Sequence, residues 1–243
     1  MKTDADSNYY IDNKPKLMKQ FRKAINFTRD ILKQYYEEEK TENLISEIKI
    51  EIDNLLLELP YIGGKKNGLT FNLLASAYSL AVIKVLERIG QSERDIGKIL
   101  YEMSESYYKS KSRFLKWLYP RIIFSKFIFK RGKKKTEKSQ LKKYPEDWVF
   151  EIVKGDGTNF DVGINYTECG ICKFYEKMDA LQYVPYLCLN DYAMARVFGI
   201  GLIRTQTLGN GAPICDFRFK KNFKTPSGWP PENIEEFKGN KTN

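Results

Sequence analysis

Histidine is absent from all 243 residues. That removes Ser-His-Asp and Cys-His arrangements, histidine general bases and every histidine-containing metal site. Proton transfer falls to carboxylates, thiols, tyrosine, lysine or water. Cysteine is absent from the first 168 residues, and all four cysteines lie between Cys169 and Cys215. No run of about 18 uncharged apolar residues occurs, so nothing reads as a membrane span. The polar stretch Met1 to Asn13 has no apolar core and does not read as a signal peptide. The expectation is a cytoplasmic chain with reduced thiols rather than a disulfide framework.

Acidic residues are scarce in one place. Lys109 to Lys143 holds 14 Lys/Arg against the single acid Glu137, a net of +13, whereas the remainder carries 27 basic and 30 acidic residues. The overall charge of +10 is therefore local. The segment interleaves Phe114, Trp117, Phe124 and Phe127 with bases. It reads as a core helix with a solvated basic face, followed by an exposed loop over 130–143, in preference to a nucleic-acid patch or a lipid-facing helix.

Apolar residues make up 42%, enough for a real core. Leu17, Phe21, Ile25, Ile31 and Leu32 recur at helical spacing within 16–39, and Leu44, Ile45, Ile48, Ile52, Leu55 and Leu56 within a helix opening at Thr41. Residues 69–89 are the most apolar and stop at Gly90. Ser92 with Asp95 resembles an N-cap opening a helix over 93–108. From Trp148 the texture changes. Residues 148–153 and 160–166 read as strands around the turn Gly155-Asp156-Gly157, 169–178 and 185–198 as helices, and 202–208 and 214–219 as a second pair around Gly209–Gly211. The class is α+β: N-terminal helices packed on a four-stranded antiparallel sheet, with a β-β-α-α-β-β C-terminal half. The organisation expected is a flexible stretch over 1–15, one domain over 16–221, and a loose tail over 222–243.

The chemistry concentrates in 165–218, which contains Asn165, Glu168, Cys169, Cys172, Tyr186, Cys188, Asp191, Arg204, Cys215 and Asp216. Cys188 and Asp191 share a face on a helix, as do Cys169 and Cys172. Cys215 and Asp216 point to opposite faces of a strand, so if Cys215 faces inward with Phe217 and Phe219, Asp216 and Arg218 face away. Three readings stand side by side. Free cysteines are small hydrophobes in a core. Cys169-x-x-Cys172 with Cys188 and Cys215 would be a four-cysteine zinc site, although no second C-x-x-C occurs. Or a thiol and nearby carboxylates form a catalytic or ligand-binding pocket, provided a cation or helix N-terminus lowers the thiol pKa. No organic cofactor is called for, and a metal ion enters only through those cysteines.

Four stretches carry a resemblance: Cys169-Gly-Ile-Cys172-Lys-Phe-Tyr175, Leu187-Cys188-Leu-Asn-Asp191-Tyr192, Arg204-Thr-Gln-Thr-Leu208, and Gly211-Ala-Pro-Ile-Cys215-Asp216-Phe217-Arg218-Phe219. In order and spacing they resemble the L-2-amino-thiazoline-4-carboxylic acid hydrolase family, and Leu59-Pro-Tyr-Ile-Gly-Gly64 resembles its N-terminal half. The closing hairpin is similar, more loosely, to the 4-vinyl-reductase domain, a small-molecule-binding module of helices on an antiparallel sheet.

The resemblance implies a hydrolase that opens a 2-aminothiazoline ring by water attack at the amidine carbon, releasing a thiolate and giving N-carbamoyl-L-cysteine. It implies a small-molecule substrate and leaves a homo-oligomer open. Asp191 or Asp216 would bind the amidine or activate water, and Cys172, Cys188 or Cys215 would be nucleophile or wall. Arg204 would clamp the substrate carboxylate, or instead pair with Asp216 across the hairpin, and Tyr186, Asn165 and Glu168 would line the pocket. The other function compatible with these residues is a sensor or carrier that binds without turnover.

Overall fold

The computed structural model describes residues 9–238. Residues 1–8 of the stretch expected to be flexible, and 239–243 of the expected tail, lie outside the described residues. The part of 1–15 that is described is ordered: Tyr9–Asp12 forms a helical turn, and the buried Tyr10 donates its hydroxyl to the Pro60 carbonyl at 3.0 Å.

The first apolar stripe forms α1 (Lys14–Leu32), shorter than expected because the chain turns back after Leu32. α2 (Glu38–Glu58) begins three residues earlier than Thr41, with Glu38 and Glu39 in the first turn, where the helix dipole favours acids. α3 (Thr70–Arg88) buries Leu73, Leu80, Ile83, Val85 and Leu86, each worth roughly 1.5–3 kcal/mol relative to exposure. Among the described residues α3 alone has the length and apolarity of a membrane span, and 67% of that window is buried inside the fold. α4 (Glu93–Lys109) starts at Ser92, whose hydroxyl accepts from the Asp95 amide as expected.

Gly97 lies in α4 against the ring of Tyr186; a Cβ there would come within 2.3 Å of the ring. Gly97→Ala is therefore expected to cost about 1–3 kcal/mol by overpacking, read as a lower denaturation midpoint with an unchanged slope.

The basic segment departs from expectation. It forms α5 (Arg113–Ile123), none of whose residues is fully buried, and α6 (Lys126–Gln140) where a loop was expected. Ser112 and Ser125 cap the two helices through the amides of Leu115 and Ile128. Pro120 is tolerated inside α5, and the helix ends three residues later.

The sheet comprises β1 (Val149–Lys154), β2 (Val162–Glu168), β3 (Gly201–Ile203) and β4 (Cys215–Lys220), all pairs antiparallel, in the order β1-β2-β4-β3. With the helices ahead of the strands, the α+β class holds. α6 lies along the free edge of β1. Ser139 Oγ accepts from the Phe150 amide at 3.2 Å and donates to its carbonyl at 3.0 Å, and Thr136 Oγ1 accepts from the Ile152 amide at 3.1 Å. At the opposite edge Thr225 Oγ1 accepts from the Leu202 amide and donates to the Ile200 carbonyl. Side-chain hydroxyls thus satisfy both edges, which would otherwise recruit another strand.

Between β2 and β3 run α7 (Gly170–Lys177), α8 (Val184–Cys188) and α9 (Asn190–Phe198). The helix expected over 185–198 is broken at Leu189. The strand expected over 202–208 stops at Ile203, because the chain then curls around Asp216, which accepts from the amides of Thr205 and Gln206 at 2.9 Å each. The described tail is packed rather than loose: Ile234 and Glu236 are buried.

Candidate functional site

Strand register sorts the candidates onto two faces. Tyr166 stands opposite Cys215, and Ile164 opposite Phe217, while Asn165 stands opposite Asp216. Cys215 and Phe219 are buried, so the inner face carries Tyr166, Cys215 and Phe217, and the outer face carries Asn165, Asp216 and Arg218. Asn165 spends its amide on Glu151 Oε1 at 2.9 Å. Asp216 is an anchor for its own turn, with Thr205 Oγ1 donating at 2.6 Å as well. Glu168 pairs with Lys142 and Lys173, which hold its carboxyl below the usual range. Tyr186 packs its ring against Trp229 and Phe237. These four residues are not brought to one site.

Cys169, Cys172, Cys188, Asp191, Arg204 and Cys215 lie within electrostatic reach of one another. Arg204 follows β3, its side chain fully buried, with its guanidinium 4.5 Å from the Phe217 ring centre. Its partner is not Asp216 but Glu236 in the tail, which it grips in fork geometry: Nε donates to Oε2 at 2.7 Å and Nη2 to Oε1 at 2.6 Å. Nη1 donates to Asp191 Oδ2 at 2.7 Å and Nη2 to the Cys188 carbonyl at 2.8 Å. Tyr192 closes the network by donating to Glu236 Oε2 at 2.9 Å. Burial works against the Arg204 charge, but Glu236 and Asp191 outweigh it and hold the guanidinium protonated. Its donors are committed to the protein, which leaves the expected grip on a substrate carboxylate without a free fork.

Asp191 sits in the first turn of α9. Burial raises its pKa against the opposing pull of Arg204, yet 37% of its side-chain surface remains accessible. The carboxylate is thus both crowded by its surroundings and within reach of solvent. Tyr108, Tyr119 and Tyr166 all have raised pKa values, from burial first and from the Asp191 charge second.

The thiols differ. Cys188 is pushed well up by burial, and Cys215 up to about 12 by burial despite a donated amide from Leu208 at 3.2 Å. Cys172 is raised by its bond to Cys169, then by burial. Cys169 moves the other way. It stands at the N-cap position of α7 without a side-chain capping bond; the neighbouring Cys172 side chain first, and the Cys172 and Ile171 backbone and Trp148 after it, lower its pKa to about 7 against the opposing effect of burial. Gly170 permits this: a Cβ there would lie 2.8 Å from the Trp148 ring. Cys169 is expected to be the first thiol alkylated by iodoacetamide, losing reactivity as pH falls through about 7, with the other three slower. Peptide mass spectrometry of wild type and Cys169→Ser checks this.

The cysteines do not converge as a zinc tetrahedron. Cys169 and Cys172 stand together at the start of α7, Cys188 lies beside Gly209, and Cys215 takes the Leu208 amide. Among the described residues no group of three or more cysteine, aspartate or glutamate side chains is arranged to hold a metal ion. Shallow depressions between α1 and α2, near Met18, Arg22 and Lys49, and below Lys84 and Lys177, contain none of the candidate residues.

Sequence reasoning missed Cys169 as the low-pKa thiol, and Tyr166, Tyr108, Tyr119 and Glu236 altogether. Tyr166 could have been found from its phase with Ile164 in β2. Glu236 follows a run of prolines with no periodic pattern and carries no local signal.

A model of the L-2-amino-thiazoline-4-carboxylic acid hydrolase family matches residues 72–219, the span that holds the whole cluster except Glu236. No curated protein and no solved structure matches.

Proposed function

The chain belongs to the L-2-amino-thiazoline-4-carboxylic acid hydrolase family, and from that membership we propose that it opens a small cyclic amidine of the 2-aminothiazoline type by hydrolysis. The observation that carries the reading is Asp191: accessible, raised in pKa by burial, and fixed through Oδ2 by Arg204. A carboxylate with a raised pKa is a stronger base than one in water. Its second oxygen takes a proton from the attacking water while the water oxygen bonds to the amidine carbon and the C=N π pair moves onto the ring nitrogen. The tetrahedral adduct then collapses: its hydroxyl becomes the carbamoyl C=O, that proton passing to the ring nitrogen, while the carbon–sulfur bond breaks and the electron pair leaves on sulfur, which takes the proton held by Asp191. The product is a carbamoyl-substituted amino acid bearing a thiol.

Arg204 is a positioning residue in this scheme. The substrate carboxylate is met by the hydroxyls of Tyr108, Tyr119 and Tyr166, which burial keeps protonated. Burial and, for Cys172, its neighbour Cys169 keep the Cys172, Cys188 and Cys215 thiols neutral, so in this scheme they would be walls around the substrate rather than nucleophiles. The fall in Cys169 pKa supports a thiolate near the amidine, where opposite charge favours binding.

The test is incubation of the purified protein with L-2-aminothiazoline-4-carboxylate and, in parallel, with the thiazoline lacking the amino group. Catalytic release of thiol from the first only is expected. Thermal stabilisation without thiol release would mean a carrier and would defeat the hydrolase reading.

A further inference from the structure

The strongest feature outside the site is the outer face of α5 and the start of α6. α5 has two apolar sides. The inner one, with Tyr119, Ile123 and Phe124, packs against the cluster that holds Phe198 and Leu202. The outer one leaves Phe114 67%, Trp117 53% and, just beyond on α6, Phe127 67% exposed, with Leu115 and Ile122 beside them. Packing α5 on the fold accounts for the inner side only.

Charge surrounds that apolar face. Arg113, Arg121, Lys126, Lys130 and Lys133 are exposed with it, and of the fourteen bases from Lys109 to Lys143 only Lys109 and Lys142 enter ion pairs among the described residues. Arg121 lies over the Trp117 ring at 3.9 Å. Its stem and the indole thus offer apolar bodies with polar tips, the arrangement that suits a membrane–water boundary.

We propose that this face docks the protein in the plane of an anionic lipid surface, with Phe114, Trp117, Ile122 and Phe127 entering the headgroup layer and the flanking bases meeting lipid phosphates and carboxylates. A second copy of the chain is the poorer occupant, because an isologous contact would bring one strongly basic patch against another. RNA would engage the bases but gain little from burying Phe114, Leu115, Ile122 and Phe127 together.

The experiment is co-sedimentation of the full chain with vesicles of phosphatidylcholine alone and of phosphatidylcholine with phosphatidylserine. Tryptophan emission is followed in the same mixtures. Binding to the serine-containing vesicles only, with a blue shift, is the expected result. Trp117→Ser and Phe127→Ser, both at exposed positions, are expected to lose binding without losing the fold by circular dichroism. Lys130→Gln and Lys133→Gln are each expected to weaken partition about fivefold. Equal partition into both vesicle types, or none, overturns the proposal. So does salt-sensitive RNA binding without vesicle binding, or a concentration-dependent dimer that Trp117→Ser dissolves.

Discussion

Asp191→Asn is expected to lower turnover of a 2-aminothiazoline-type substrate by about a hundredfold to ten-thousandfold, the usual contribution of a positioned general base. The fold is expected to survive, because the asparagine carbonyl can still accept from Arg204 Nη1, which lies 2.7 Å from the present carboxylate oxygen. The pH profile separates a chemical role from a merely structural one. Asp191 has a raised pKa, from burial first. Wild-type turnover should therefore climb with pH through a limb lying above the ordinary carboxylate range, and that limb should vanish in the variant. Stability should move the opposite way. The native state keeps this proton to higher pH than the unfolded chain, so the contribution of Asp191 falls as pH rises between the two pKa values. A rate profile unchanged in Asp191→Asn would remove the carboxylate from the chemistry.

Arg204→Met is expected to produce the largest loss of stability, about 3–5 kcal/mol, because it leaves Glu236 buried and unpaired. For a chain of this size that corresponds to a fall in Tm of roughly 6–20 °C. Part of this cost belongs to the orphaned partner and not to the lost bond. Arg204→Met combined with Glu236→Leu is therefore expected to regain much of the stability, since two apolar side chains can fill the space of a buried pair. The double variant should still turn over slowly, because Asp191 then has no donor to fix Oδ2. Thermal melts of the single and double variants read the first effect, and kcat reads the second. If the two stability losses simply added, the pair would not be the unit described.

The residues that could be read from sequence are those whose signal is periodic. Alternation placed Cys215, Phe217 and Phe219 on one face of β4 and Asp216 and Arg218 on the other, and the register agrees. The four cysteines cluster in the third of the chain where Arg204 meets Asp191 and the Cys188 carbonyl. What stayed hidden depends on contacts distant in sequence. Asp191 and Asp216 looked equivalent, and only the fold shows one beside a buried arginine and the other holding a turn. Glu236 is 32 residues from Arg204 and looks like a solvated acid in a tail. The low pKa of Cys169 comes first from the side chain of Cys172, and then from the neighbouring backbone and Trp148, contacts that depend on how the start of α7 packs. α6 was hidden because its lysines break any apolar stripe; its structural work is done by Thr136 and Ser139 along the edge of β1.

Hydrolysis by an Asp191-activated water is tested most directly by running the reaction in oxygen-labelled water and weighing the product. The expected result for the wild type is one labelled oxygen in the new carbamoyl group and one new thiol per turnover, with almost no labelled product from Asp191→Asn. Equal labelling by that variant, or recovery of the intact ring from the wild type, would contradict it.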